Sequence, residues 1–185
     1  MAIDFEEEAL INLARKDPVA FGQLYERYIE RIYNYVYFRT GNVNDAEDLT
    51  ARVFFKAMTK IGTYRHMGLP FSAWLYRIAH NLVANYHRDN ARKREISLEG
   101  ETQTQFLGMP DHSEINYHKK QEIDRMMKLI SDLPKVRQEL IILKFIDKMS
   151  NVEIGKILHK SEGAVKSMYH RTLLELREKL KLEEL

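Results

Sequence analysis

Apolar residues recur along this chain at spacings of three and four, and strand-like alternation is sustained nowhere, so the pattern predicts an all-α fold. A short first helix ends near Lys16. Asp17 then reads as an N-cap and Pro18 as first-turn proline of a long second helix, whose stripe is Phe21, Leu24, Tyr25, Tyr28, Ile32, Tyr35 and Val36. Gly41 stops it. Asn44 is expected to cap a third helix, with Glu47 three residues on as in a capping box and Asp45 and Asp48 favourable beside the N-terminal dipole. The apolar face of that helix is Leu49, Val53, Phe54, Ala57, Met58 and Ile61. Two glycines and a proline make residues 62–70 a loop around Tyr64, Arg65 and His66. The fourth helix buries Phe71, Trp74, Leu75, Ile78, Ala79, Leu82, Val83 and Tyr86.

Near Asn90 the pattern fails. A basic cluster leads into polar residues with Gly100, Gly108 and Pro110 among them, so 93–113 is expected to be a flexible linker between small helical domains at 1–92 and 114–185. Periodicity resumes with Ile115, Ile123, Met126, Met127 and Ile130. Asp132 and Pro134 open another helix through Leu140, Ile141, Leu143 and Phe145. Ser150 can cap 152–158, His159 and Lys160 form a turn, and Ser161 can cap the helix beyond. That pair predicts a helix-turn-helix in a winged-helix-like four-helix domain.

Composition narrows the classes. A chain of 185 residues, 44% hydrophobic and 30% charged, suits two small soluble domains. Lys and Arg number 29 against 27 Asp and Glu, too slight an excess to imply a nucleic-acid partner, so the distribution of charge must decide. The absence of cysteine excludes disulfides, cysteine zinc sites and thiol catalysis. Met1 to Glu8 is acidic and no run approaches about 18 apolar residues, so a cytoplasmic protein without membrane insertion is expected.

The second helix of a helix-turn-helix enters the major groove, with early residues on base edges and later basic ones on phosphates. From Ser161, Val165 and either Met168 or Tyr169 are expected to pack inward, leaving Glu162, Lys166, Ser167, His170 and Arg171 outward. Glu162 suits a cytosine amino group, and Lys166 or Arg171 suits guanine or phosphate. The competing reading is an ordinary solvated charged face. On the fourth helix Arg77, His80, Asn81, Asn85, Arg88 and Arg92 form a basic, amide-bearing face beside aromatic residues, suited to single-stranded DNA. Trp74 and Phe71 equally fit a core. Asp45, Glu47 and Asp48 could be metal ligands or an acid–base pair, yet first-turn carboxylates are explained by capping, and no His-Glu-x-x-His motif accompanies them. His80 and His87 lack a third ligand for a metal. Without a phosphate loop or serine-nucleophile elbow, neither an enzyme nor a cofactor is expected.

These segments resemble a family. Asp45-Ala-Glu-Asp-Leu-Thr-Ala-Arg-Val-Phe-Phe-Lys-Ala and Phe71-Ser-Ala-Trp-Leu-Tyr-Arg-Ile-Ala-His-Asn are similar to region 2 of the extracytoplasmic-function group of bacterial sigma factors. Leu133-Pro134, Ser150-Asn-Val-Glu-Ile-Gly-Lys-Ile-Leu and Glu162-Gly-Ala-Val-Lys-Ser-Met-Tyr-His-Arg resemble its region 4, in the right order. The resemblance implies an N-terminal domain that grips the clamp helices of core RNA polymerase and reads the melted −10 element, and a C-terminal domain that binds the −35 duplex of promoter DNA. By position it implies polymerase contacts at Asp45, Glu47, Asp48, Leu49, Val53 and Phe54. It implies −10 contacts at Tyr64, Arg65, His66, Arg77, Asn81 and Arg88, the loop 62–70 capturing a flipped base. On the −35 helix it implies Lys166, Ser167 and Arg171. An anti-sigma factor is an expected partner for the exposed faces.

Departures from the family pattern are Ala51 and Arg52, where glutamine and an acidic residue are common, His159, where glycine is common in the turn, and Gly155, which replaces a common alanine. A mid-helix glycine costs up to about 1 kcal/mol unless close packing requires it. The rival functions are a freestanding helix-turn-helix regulator, which dimerises on palindromic duplex, and a helical enzyme using the acids at 45–48.

Overall fold

In the computed structural model, α1 (Phe5–Ala14) ends where the N–H groups of Lys16 and Asp17 both donate to the Leu13 carbonyl, at 2.9 and 3.0 Å. Residues 5–66, 68–96 and 128–183 are described, and they fall into two units, one on each side of the undescribed stretch. The expected linker lies largely in that stretch, as do Ile115, Ile123, Met126 and Met127.

In the first unit, Asp17 is extended and its carboxylate accepts from Val19 N at 2.8 Å, which starts α2 (Pro18–Thr40) with Pro18 in the first turn. The predicted stripe is buried except at Tyr25, whose ring packs edge-on against Phe54 with centroids 4.8 Å apart. Glu7 of α1 accepts from the Tyr28 hydroxyl and pairs with Arg27, fastening α1 to α2.

Gly41 ends α2 in the left-handed region (φ 67°), its N–H on the Tyr37 carbonyl at 2.8 Å. This reversal is so tight that the next residue, Asn42, is already extended and caps α3 (Val43–Lys60), accepting from Asp45 N at 3.0 Å. The cap is therefore Asn42 and not Asn44, and Asp45, not Glu47, holds the third position of the helix. Ala46, Leu49, Val53 and Ala57 face inward, and a 3₁₀ turn at Ile61–Thr63 follows. Gly68 turns the loop at φ 73° before α4 (Phe71–Ile96). α2, α3 and α4 pack on one another, and Tyr35 meets Tyr76 edge-on at 5.2 Å across the α2–α4 seam. α4 runs to Ile96, beyond the boundary expected at 92. Residues 91–96 are helix formers without glycine or proline, and Arg92 and Lys93 lie near the negative end of the dipole.

In the second unit residues 128–131 are helical (α5), and α6 spans Lys135–Ile141. Asp132 is not its cap: Pro134 holds that position without a side-chain bond. Gln138, only 2% exposed, instead reaches back from inside α6 and donates to the carbonyls of Ser131 and Leu133, each at 2.7 Å. A π-helical turn follows at Ile142–Ile146, with Asp147 N directed to the Ile142 carbonyl at 3.4 Å. Its extra residue shifts the register, so Phe145 is 54% exposed instead of continuing the stripe of Leu140 and Ile141.

Ser150 caps α7 (Asn151–Leu158) through a full capping box: its hydroxyl accepts from Glu153 N at 3.3 Å, and Glu153 accepts from Ser150 N at 2.6 Å. Ser161 accepts from Ala164 N at 3.2 Å at the start of α8 (Glu162–Glu183). Leu140, Leu143, Ile154, Ile157 and Val165 fill the core of this unit, and Arg137 of α6 is paired with Glu175 of α8 at 2.6 Å. No strand, and so no wing, lies among the described residues.

Candidate nucleic-acid interface

The turn between α7 and α8 is built from two unusual positions. His159 takes the left-handed conformation (φ 55°), and Lys160 N returns to the Gly155 carbonyl at 2.8 Å, the six-residue loop of a Schellman ending. A Cβ on Gly155 would lie 2.6 Å from the Lys160 carbonyl oxygen. Close packing thus requires the glycine that helix propensity disfavours.

Beyond the turn, Val165 and Met168 are buried, which rolls the opposite side of α8 outward. Glu162, Lys166 and His170 follow one another at four-residue spacing, with Ser167 and Arg171 alongside, and all five are exposed. Arg171 Nε reaches back to the Ser167 carbonyl at 3.5 Å. The result is one polar face carrying an acid, a hydroxyl, an imidazole and two cations. Tyr169 is half-buried at the edge of this face.

On α4, Arg77, Asn81, Asn85, Arg88 and Arg92 are exposed at spacings of three and four and share one side. Arg88 lies 3.8 Å from Asp89, with both side chains largely in solvent. His80 is half-buried, and His87 Nε2 lies 2.8 Å from the Arg39 carbonyl.

The loop at 62–66 divides. Arg65 and His66 are exposed, whereas Tyr64 is 6% exposed and closes an aromatic cluster with Phe71 (5.3 Å, nearly perpendicular) and Trp74 (5.1 Å). Its ring is a wall of the core and not an open stacking platform. The Tyr64 hydroxyl is buried without a hydrogen bond among the described residues, and burial, with Glu7 and Glu8 adding to it, pushes its pKa up to about 12. Arg15, a residue the sequence pattern did not single out, donates to the Tyr64 carbonyl at 2.8 Å and ties this loop to the end of α1.

The residues assigned on α3 also separate. Leu49, Val53 and Phe54 are buried, so they shape the helix from beneath. Asp45 accepts from the Tyr86 hydroxyl of α4 at 2.7 Å, and Asp48 pairs with Arg52 at 3.6 Å. The outer face presents Glu47, Asp48 and Arg52 around exposed Met58 and Phe55, the latter 64% exposed. The core-like periodicity of α3 concealed this exposed phenyl ring. Among the described residues no three His, Asp or Glu side chains gather into a metal-binding group, and no helix is long and apolar enough to cross a membrane.

Comparison with known proteins gives both units a relative. The family model of sigma-70 region 2 matches residues 24–93, and that of sigma-70 region 4 matches residues 123–176. The chain is 32% identical over 176 residues to the ECF RNA polymerase sigma factor SigW of Bacillus subtilis, covering 89% of this chain and 91% of that one. It is 33% identical over 163 residues to the ECF sigma factor BldN of Streptomyces coelicolor, covering 85% of this chain but 59% of that longer protein. Among solved structures, the sigma factor RpoE of Bartonella quintana, crystallised with the anti-sigma factor NepR, shares the fold with a TM-score of 0.72 at 22% identity, covering 87% and 96% of the two chains. CnrH in complex with the cytosolic domain of CnrY does so with a TM-score of 0.69 at 21% identity, covering 95% and 97%. With region 2 and region 4 in order and a relative matched along nearly its whole length, the chain belongs to the extracytoplasmic-function group of RNA polymerase sigma factors.

Proposed function

We propose that this chain is a non-catalytic specificity subunit: it joins core RNA polymerase and directs initiation to promoters that carry a paired −10 and −35 element. The observation that carries the reading is the co-occurrence, in one chain, of an exposed polar recognition face on α8 and a basic, amide-bearing face on α4, each within a unit matched by the corresponding sigma region. Binding, not bond-making, is the work of these faces. Each contact set alone is weak, and linking them makes the second contact intramolecular, so that effective concentration raises affinity for correctly spaced elements.

On this reading Glu47, Asp48 and the exposed Phe55 of α3 meet the polymerase, with Asp45, Leu49, Val53 and Phe54 holding that face in shape. Arg65, His66, Arg77, Asn81 and Arg88 meet the opened −10 strand, with Arg on phosphate and Asn on base edges, and Tyr64 forms the wall behind them. Glu162, Lys166, Ser167, His170 and Arg171 read the −35 duplex in the major groove, where Glu162 can accept from a cytosine amino group. The domains run 1–92 and 114–185, with the α4 helix extending a few residues into the connecting segment. The chain acts in the cytoplasm, where its polymerase is, and needs no cofactor. Of the structural relatives, RpoE is solved in complex with the anti-sigma factor NepR and CnrH in complex with the cytosolic domain of CnrY, and an anti-sigma partner would find exposed faces to cover here.

The test is reconstitution with bacterial core RNA polymerase and transcription from a promoter library randomised in both elements. Initiation at sites sharing two spaced sequences supports the reading. Absence of polymerase binding, together with palindromic duplex binding by the protein alone, would move the chain to the freestanding regulators.

A further inference from the structure

Three elements of the second unit converge on one ammonium group. Lys144 lies on the π-helical turn, and its Nζ donates to the Met149 carbonyl at 3.2 Å and to Asn151 Oδ1, on the first residue of α7, at 3.0 Å. The same Nζ stands 5.8 Å from the centre of the Tyr169 ring on α8. Phe145, next on the turn, brings its ring to 6.1 Å from that of Tyr169. A lysine ammonium has three donors; oxygens take two of them, and the ring of Tyr169 stands within cation–π range of the charge. Neither Lys144, Phe145 nor Tyr169 is among the residues assigned to bases or phosphates above.

We propose that Lys144 is a positioning residue for −35 reading, setting the roll of α8 through Tyr169; this rests on the sigma reading of α8. The apolar packing of Ile154, Ile157 and Leu158 against Val165 and Met168 fixes how closely α7 and α8 approach. The Arg137–Glu175 pair adds a directional contact farther along α8, and the Lys144–Tyr169 contact adds one beside the turns that carry the polar face. Base readout tolerates little displacement, because recognition side chains must be held to within about 0.5 Å of their working geometry. Tyr169 stands at the edge of the face that carries Lys166, Ser167, His170 and Arg171, on the same turns of α8. A directional contact on its ring therefore orients all of them at once. The π turn explains how a lysine reaches that ring: its extra residue carries Lys144 and Phe145 out of the α6 stripe toward α8.

The experiment compares holoenzymes made with the full wild-type chain, Lys144→Met, Lys144→Arg and Tyr169→Leu on a promoter library randomised in both elements. Lys144→Met keeps the aliphatic stem and removes the donors and charge. It is expected to flatten base preference at the −35 element by about tenfold, the scale of one well-placed base contact, with −10 preference, polymerase affinity and salt dependence unchanged. Lys144→Arg is expected to restore the preference. Tyr169→Leu, which changes no residue of the π turn, is expected to reproduce the flattening. Unchanged −35 preference in Lys144→Met, or in Tyr169→Leu should Lys144→Met unfold the unit, would overturn the inference. So would a uniform loss of binding with a shallower salt slope, since that marks a direct phosphate contact. A wild-type chain that fails to initiate at paired elements overturns the sigma reading and this inference together, whereas paired elements selected equally by wild type and Lys144→Met overturn this inference alone.

Discussion

The carbonyl oxygen of Lys160 lies over Gly155 so closely that a Cβ there would be 2.6 Å away. Intrinsic propensity alone favours alanine over glycine inside a helix by about 0.5–1 kcal/mol, whereas forcing an extra carbon against backbone costs about 1–3 kcal/mol. The clash wins, because the opposing atom is a carbonyl fixed by the Schellman turn and not a flexible side chain. Gly155→Ala is therefore expected to destabilise the second unit by about 1–2 kcal/mol, read as a lower denaturant midpoint by far-ultraviolet circular dichroism.

His159 supplies the opposite case. It is a non-glycine residue at φ 55°, where a side chain costs about 1–2 kcal/mol. Replacement by glycine removes that cost and adds back about 0.4–1 kcal/mol of unfolded-state entropy. His159→Gly is expected to raise stability by roughly 0.5–1 kcal/mol. A midpoint that falls would mean that the imidazole contributes more than its backbone conformation costs.

Elements with a local cause were legible in the sequence. Asp17, Ser150 and Ser161 cap the helices they were expected to cap, since a short polar side chain needs only its own neighbouring N–H groups. Asn44 was the wrong choice because Asn42 is chemically equivalent, and the left-handed Gly41 decided between them. Gln138 and the π turn left no local signature: one acts across a chain reversal, and the other is a change of register that tertiary packing selects. The same distinction runs through the site. The α8 face could be read from its four-residue spacing, but Leu49, Val53 and Phe54 occupy motif positions that are also core positions, and Tyr64 looked exposed between glycines until Phe71 and Trp74 closed over it.

Tyr64 carries a test at alkaline pH. Its folded pKa is raised to about 12 by burial, against an ordinary value of 10.0. The unfolded chain therefore releases this proton first, so the contribution to stability is complete below pH 10 and is lost as pH rises toward 12. Tyr64→Phe removes a hydroxyl that makes no hydrogen bond among the described residues, so stability at pH 7 is expected to be unchanged or slightly higher. Alkaline unfolding should also shift to higher pH, although Tyr28 and Tyr33, likewise raised by burial, retain part of the transition. An unchanged alkaline midpoint would mean that Tyr64 ionises outside the folded core.

On α3, burial separates support from contact. Phe55→Ala is expected to leave the unfolding midpoint within error while weakening binding to core polymerase by roughly tenfold or more, as for an exposed aromatic anchor. Leu49→Ala removes a side chain that is 2% exposed and is expected to cost about 2–5 kcal/mol of stability. Calorimetric melting beside a polymerase-binding titration checks both. Equal destabilisation by the two substitutions would place Phe55 in the core and remove it from the proposed polymerase face.

For α8, the two cations give a prediction that salt can resolve. Lys166 and Arg171 are exposed on the outward face, Arg171 one turn farther from the helix start. Neutralising one phosphate contact lowers the slope of log affinity against log salt by about 0.9. Arg171→Gln, if that residue holds a phosphate, is expected to weaken binding alike on preferred and altered −35 sequences and to reduce the slope by about that amount. Lys166→Gln, nearer the start of α8, is expected on the proposed reading to relax preference at one base position, with a loss of about 1–3 kcal/mol on the preferred sequence and little on sequences already altered there. Holoenzyme binding measured on matched and altered promoters across a salt series separates the two roles. An equal sequence-independent loss in both variants would assign Lys166 to the phosphate backbone as well, leaving Glu162, Ser167 and His170 as the residues that distinguish bases.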